Sequence, residues 1–272
     1  MIGPDAARYL AAAEGRPVPR PFHLRWLLPK ACGTDLAAWR FVWLASWPVL
    51  AASTIGWRLA AGDRWEIAVA AAVFLCALPG ILGPVAVIPV GVDLPATAVS
   101  MVGVLLIELG NPAQVVAGVV VIAVAACIRE TAPVWSALWL WSPLPLIALC
   151  VVACRALIAK PGLDPLGPKF QAIADHPVQA ALAAHRDQWR DAWLMVAPWG
   201  VCLAGLVSSD WRLWLVLALA YAQLLIATDS VRLYQHAAGP VLAVAAAQVV
   251  PVAWLPLAVV VHVVWWQTPE RI

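Results

Sequence analysis

The sequence predicts an all-α protein, a polytopic transmembrane helical bundle of about 7–9 spans with amphipathic surface helices beside them. Three observations carry that reading. Hydrophobic residues fill 64% of 272 positions, 12% are charged and mean hydropathy is +0.86; an average globular domain has roughly 45–50% apolar and 25% charged residues. Apolar runs long enough for a helix to cross a bilayer recur along the chain. Eight of the 17 tryptophans cluster in WRFVWLASW, WSALWLW and VVWWQ near the ends of those runs, where an indole settles at headgroup depth.

Residues 1–38 form a polar, arginine-rich opening. It lacks the basic-then-apolar layout of a cleavable signal, so the first span, starting near Trp39, is expected to target the chain as well. Within it, PFHLRWLLPK interleaves Phe22, Leu24, Trp26, Leu27 and Leu28 with His23, Arg25 and Lys30. Such a segment lies against a membrane while holding its arginine at headgroup height, and it suits an anionic lipid head.

The candidate spans are 39–61, 66–90, 94–109, 113–128, 131–159, 192–208, 211–228 and 237–266. The second carries Pro79, Pro84 and Pro89, the fifth Pro133, Pro143 and Pro145, and the last Pro251 and Pro256; each proline removes a backbone donor and kinks or breaks a helix. The fifth and last exceed one crossing, so each reads as a single span or a tight pair. Four segments follow: an amphipathic opening at 1–38, a first transmembrane bundle at 39–159, a linker with an amphipathic surface helix at 160–191, and a second bundle at 192–272. In the hydrophilic connection, Val178, Ala181, Leu182, His185 and Trp189 fall at helical spacing after Pro177, which fits a helix on the membrane surface or one packed on the bundle. No internal repeat is visible.

A net charge of +2 with scattered arginines excludes a nucleic-acid partner. The six cysteines lie mostly in apolar segments without zinc-ligand spacing and read as small packed hydrophobes; Cys150 and Cys154 share a helix face and are a weaker candidate for a metal or redox pair. Ionisable groups within or beside apolar spans are costly and mark an interior or an aqueous cavity. Asp93, Glu108, the Arg129–Glu130 pair, Asp229 with Arg232, and His262 are such groups. A span-end pair at the interface explains Arg129–Glu130, and a structural ion pair Asp229–Arg232, as readily as a site does; Glu108 reads as a loop charge, and His262 as a packed histidine.

In order along the chain, short motifs resemble the GT-C superfamily of integral-membrane glycosyltransferases. DAARY supplies Asp5 and Tyr9, and RWLLP supplies Arg25 and Pro29; VDLPATAVSMVGVLL opens on Asp93; RETAPVW supplies Arg129, Glu130 and Thr131; and DSVRLYQHAAGP supplies Asp229, Arg232 and Pro240. The likeness covers less than half of the chain. It implies transfer of a sugar from a polyprenyl-phosphate donor to an extracytoplasmic acceptor, in a bacterial plasma membrane. The leaving phosphate needs cations and the acceptor hydroxyl needs a base. The resemblance therefore assigns Asp5 as base, Arg25 and Arg232 as phosphate partners, and Tyr9, Asp93, Arg129, Glu130 and Asp229 to substrate binding. A divalent metal is compatible with that chemistry, though no ligand cluster demands one. Two other classes fit the composition: a non-catalytic membrane subunit or scaffold that packs against a membrane-protein partner through Trp-rich faces, and a small-solute transporter using the broken spans.

Overall fold

The computed structural model describes residues 4–81, 90–190, 195–208, 210–226, 231–257 and 260, and every regular element among them is helical. None of these helices is long and apolar enough to cross a membrane. That finding overturns the expected transmembrane bundle with its 7–9 spans, and with it the assignment to the plasma membrane as an integral protein.

The physical reason lies in how the apolar runs are interrupted. Helix α1 is Pro4–Ala13, α2 Leu27–Cys32, α3 Leu36–Ala60 and α4 Trp65–Ala77. The 25 residues of α3 include Arg40, Arg58, four tryptophans, two serines and a threonine, which hold its hydropathy down. Helix α4 stops because Leu78, the residue before Pro79, turns to ψ 133, the extended conformation a following proline imposes. Helix α5 is Asp93–Glu108 and α6 Pro112–Ile128; α6 ends where Arg129 leaves helical geometry at φ −146 and ψ 119. The run 131–159 is cut in three: α7 at Ala132–Leu140, a 3₁₀ turn at Leu144–Ala148, and α8 at Leu149–Ile158. Trp141 closes α7 in the left-handed region at φ 51, and Pro143 follows it. Helices α9 (Pro168–Asp175) and α10 (Pro177–Arg190) lie in the hydrophilic connection. A 3₁₀ stretch at Ala197–Val207 kinks at Gly200, and α11 (Trp211–Ala222) and α12 (Val231–Val249) follow.

Two compact units are built from interleaved segments, 1–53 with 84–176 and 54–83 with 177–272. In the first, α5 and α6 cross backbone to backbone. A Cβ built on Gly118 would stand 2.7 Å from the Gly103 carbonyl oxygen, and one on Gly103 2.8 Å from that of Gly118. Only glycine permits that approach. Tyr9, Phe22, Trp39, Val92, Ala96 and Ile128 belong to a core that ties the N-terminal residues to α5 and α6. Trp43 is also buried and donates from its indole N–H to the Gly91 carbonyl at 2.8 Å. Trp39 and Trp43 therefore fill an interior, contrary to the interfacial role expected for the WRFVWLASW cluster, while Trp47 of the same cluster is exposed.

In the second unit, α12 packs on α4, α11 and the 3₁₀ stretch. Buried Gln235 accepts from the Gly80 N–H at 2.6 Å and donates to the Pro198 carbonyl at 2.7 Å. It satisfies backbone groups where prolines break the helices, as buried polar groups must be satisfied. Trp199, Tyr221 and Tyr234 stack beside it, with Trp199 donating to the Tyr221 hydroxyl at 2.7 Å. Helix α10 buries Ala181 and His185 but leaves Val178 and Leu182 exposed.

Cysteines divide in a way the sequence reading did not anticipate. Cys32, Cys76 and Cys202 are buried, whereas Cys150 and Cys154 are exposed, which corrects their reading as packed hydrophobes.

Candidate functional site

Asp5, Arg8 and Tyr9 occupy one face of α1, because positions three and four apart on a helix are neighbours. Arg8 is the first anchor. Its Nε and Nη2 donate to Asp164 Oδ2 at 2.9 and 2.6 Å, and its Nη1 donates to Asp5 Oδ1 at 3.1 Å. Asp164 comes from the Pro/Gly-rich connection 156 residues away, and its side chain is fully buried. Its second oxygen accepts from the Leu166 N–H at 3.0 Å. A buried carboxylate held this way is paired and hydrogen-bonded on both oxygens, as burial of charge requires.

Arg25 is the second anchor, placed just after the 3₁₀ turn Phe22–Leu24. Its Nε and Nη2 donate to the two oxygens of Glu130 at 2.7 and 2.8 Å, a two-pronged match of planar groups. Its Nη1 donates to the Tyr9 hydroxyl at 2.9 Å. Phe22 lies between the anchors, its ring centre 4.9 Å from the Arg8 guanidinium carbon and 5.2 Å from that of Arg25. Tyr9 packs edge-on against the same ring at 5.3 Å.

The third pair joins Arg129, at the C-terminal cap of α6, to Asp93 Oδ1, in the first turn of α5. Each charge sits at the helix end its sign favours. Arg129 is 7% exposed, and its Nε and the hydroxyl of Thr131 are buried with no hydrogen-bond partner among the described residues.

Titration behaviour follows from this packing. Burial pushes the Tyr9 phenol well above its ordinary value; the nearby Arg25 opposes that rise, while Asp5 and Asp93 add to it. For Arg25, burial disfavours the charge, but Glu130 and Tyr9 outweigh it and leave the guanidinium more firmly protonated. Burial would raise Glu130, yet Arg25, with help from Arg129, holds it below the usual carboxylate range. Beside this centre, His23 is pulled down by burial first and then by Arg20 and Arg155. Arg155 donates to the His23 carbonyl at 3.3 Å.

Of the residues the sequence nominated, Asp5, Tyr9, Arg25, Asp93, Arg129 and Glu130 all lie in the first unit within this centre. Asp229 and His262 lie outside the described residues; Arg232 falls in α12 of the second unit. Sequence reasoning passed over Arg8, Phe22 as a ring between two cations, and Asp164. The one sign of Asp164 is an aspartate in a proline-flanked turn, which is common in loops. Among the described residues, no group of three or more His, Cys, Asp or Glu side chains is placed to hold a metal ion.

Comparison of the chain with protein-family models, with curated proteins and with solved structures gives no match.

Proposed function

We propose that the chain is a non-catalytic helical scaffold whose ion-paired centre welds the N-terminal segment onto the first unit, leaving exposed apolar helix faces to meet a partner protein. The observation that carries this reading is the saturation of Arg25. Both prongs of its guanidinium are taken by Glu130 and a further N–H by Tyr9, so a phosphate would have to displace a buried carboxylate to reach it. Displacing it would strand a buried charge, which costs several kcal/mol, on the order of 3–5. Asp5, the nominated base, already accepts from Arg8. On the partner side, Trp65, Trp211, Trp214 and Trp254 in the second unit are each more than half exposed or at half, and tryptophan is the residue most often at the energetic centre of protein interfaces.

A second reading, transfer of a sugar from a polyprenyl-phosphate donor, is favoured by one specific observation: six residues nominated from the motif resemblance gather in one unit. The test is a transfer assay with a labelled polyprenyl-phosphate sugar and a hydroxyl acceptor, comparing the protein with Asp5→Asn. The scaffold reading expects no transfer above the Asp5→Asn background. Transfer abolished by that substitution, with the fold retained, would establish the second reading and remove the first.

A further inference from the structure

Helix α8, Leu149–Ile158, buries none of its residues. Its face carries Cys150 and Cys154, four residues apart and both exposed, beside Ala153 and Leu157. Two thiols at that spacing point the same way, with Cβ atoms about 5–6 Å apart. A disulfide needs those atoms at about 3.5–4.5 Å, so the pair cannot readily close on itself without distorting the helix. Two metal–thiolate bonds, each about the 2.3 Å of a Zn–S bond, hold sulfurs up to about 4.6 Å apart, which the two Cβ–S arms reach from such a spacing.

We propose that Cys150 and Cys154 form a two-coordinate site for a soft monovalent cation of the Cu(I) type. The ligand inventory selects the ion. Thiolates prefer soft cations, and a tetrahedral zinc site needs three or four ligands. Among the described residues no third His, Cys, Asp or Glu joins this pair. Binding releases two thiol protons to solvent and leaves a bis-thiolate complex with one negative charge. The Cys150 thiol now donates to the Ile147 carbonyl, a bond between neighbours on one turn that a metal would replace. Cys32, Cys76 and Cys202 are withdrawn from competition by burial, and Cys127, half-buried on α6, is the one other thiol.

The test offers Cu(I), without oxygen, to the whole chain from a coloured Cu(I)-chelator complex. The expected result is withdrawal of one ion per chain, lost in both Cys150→Ser and Cys154→Ser, with copper protecting both thiols of the unsubstituted chain from alkylation as read by mass spectrometry. Circular dichroism confirms that the variants keep their helices, as substitution at exposed positions should allow. Copper retained equally by both serine variants, a chelator complex left intact, or one ion shared between two chains would each overturn the proposal.

Discussion

Arg25 and Glu130, 105 residues apart in sequence, meet through two parallel hydrogen bonds of 2.7 and 2.8 Å. Their side chains are 12% and 16% exposed, so little water screens the pair. It connects the short turn after Pro21 to the junction between α6 and α7, and it explains why a polar, arginine-rich opening belongs to the folded unit.

Removing one partner should therefore cost far more than removing both. Glu130→Met leaves a guanidinium buried and unpaired, and a loss of about 3–5 kcal/mol is expected. Arg25→Met with Glu130→Met should recover most of that loss, because hydrophobic replacement of a whole buried pair is often neutral. Chemical denaturation of the two single variants and the double variant gives the coupling; additive losses would show that the two side chains do not act as a pair.

Phe22 separates the Arg8 and Arg25 guanidiniums. Phe22→Leu keeps an apolar filler but removes the ring face from two cations, for an expected loss of about 1–2 kcal/mol on top of the changed packing. Phe22→Ala adds a cavity, for a total of about 3–5 kcal/mol. Thermal or denaturant unfolding distinguishes the two. Equal stability of Phe22→Leu and the unsubstituted protein would remove the cation–π component.

The α5–α6 crossing depends on two glycines. Gly103→Ala and Gly118→Ala each place a methyl group under 3 Å from the other glycine's carbonyl oxygen, and overpacking of this kind costs about 1–3 kcal/mol or more. Crossing the two substitutions should bring little further loss, since the first already forces the backbones apart. Unfolding midpoints of the single and double variants measure this.

Two stability limits with pH follow from the centre. Glu130 has a depressed value in the folded chain, so its contribution is present above its unfolded value of about 4.3 and is lost as pH falls below it. Tyr9 has a raised value. The unfolded chain ionises at about pH 10 while the folded chain does not, so stability is lost as pH rises above that point. Denaturation curves across pH 3–5 and 9–11 on the unsubstituted protein, Glu130→Gln and Tyr9→Phe should assign each limit to its residue: the acid slope flattens in the first variant and the alkaline slope in the second.

Helix positions were largely legible in the sequence because prolines and apolar periodicity punctuate it: α3, α5 and α6 sit where apolar runs occur. What those runs build was misjudged, because composition does not say whether a run continues unbroken. The turn at Trp141 has no glycine to announce it, and the end of α6 depends on Arg129 reaching Asp93 across 36 residues. The centre was legible in part for a related reason. A charge amid apolar residues is costly and stands out, as Asp93, Arg129 and Glu130 did. Asp164 sat among prolines and glycines in a polar stretch, where nothing marks one carboxylate as buried. Choosing partners was beyond the sequence: Arg129 and Glu130 are adjacent, yet they pair with Asp93 and Arg25.

The central claim is that the guanidinium of Arg25 is committed to holding the first unit together and is not held ready for a phosphate. Titration of the protein with a short-chain polyprenyl phosphate, read by intrinsic tryptophan fluorescence and by native mass spectrometry, tests this against Arg25→Met with Glu130→Met. The account predicts no saturable binding that depends on the pair, so the two proteins respond alike. Saturable binding by the unsubstituted chain that disappears in the folded double variant would contradict it.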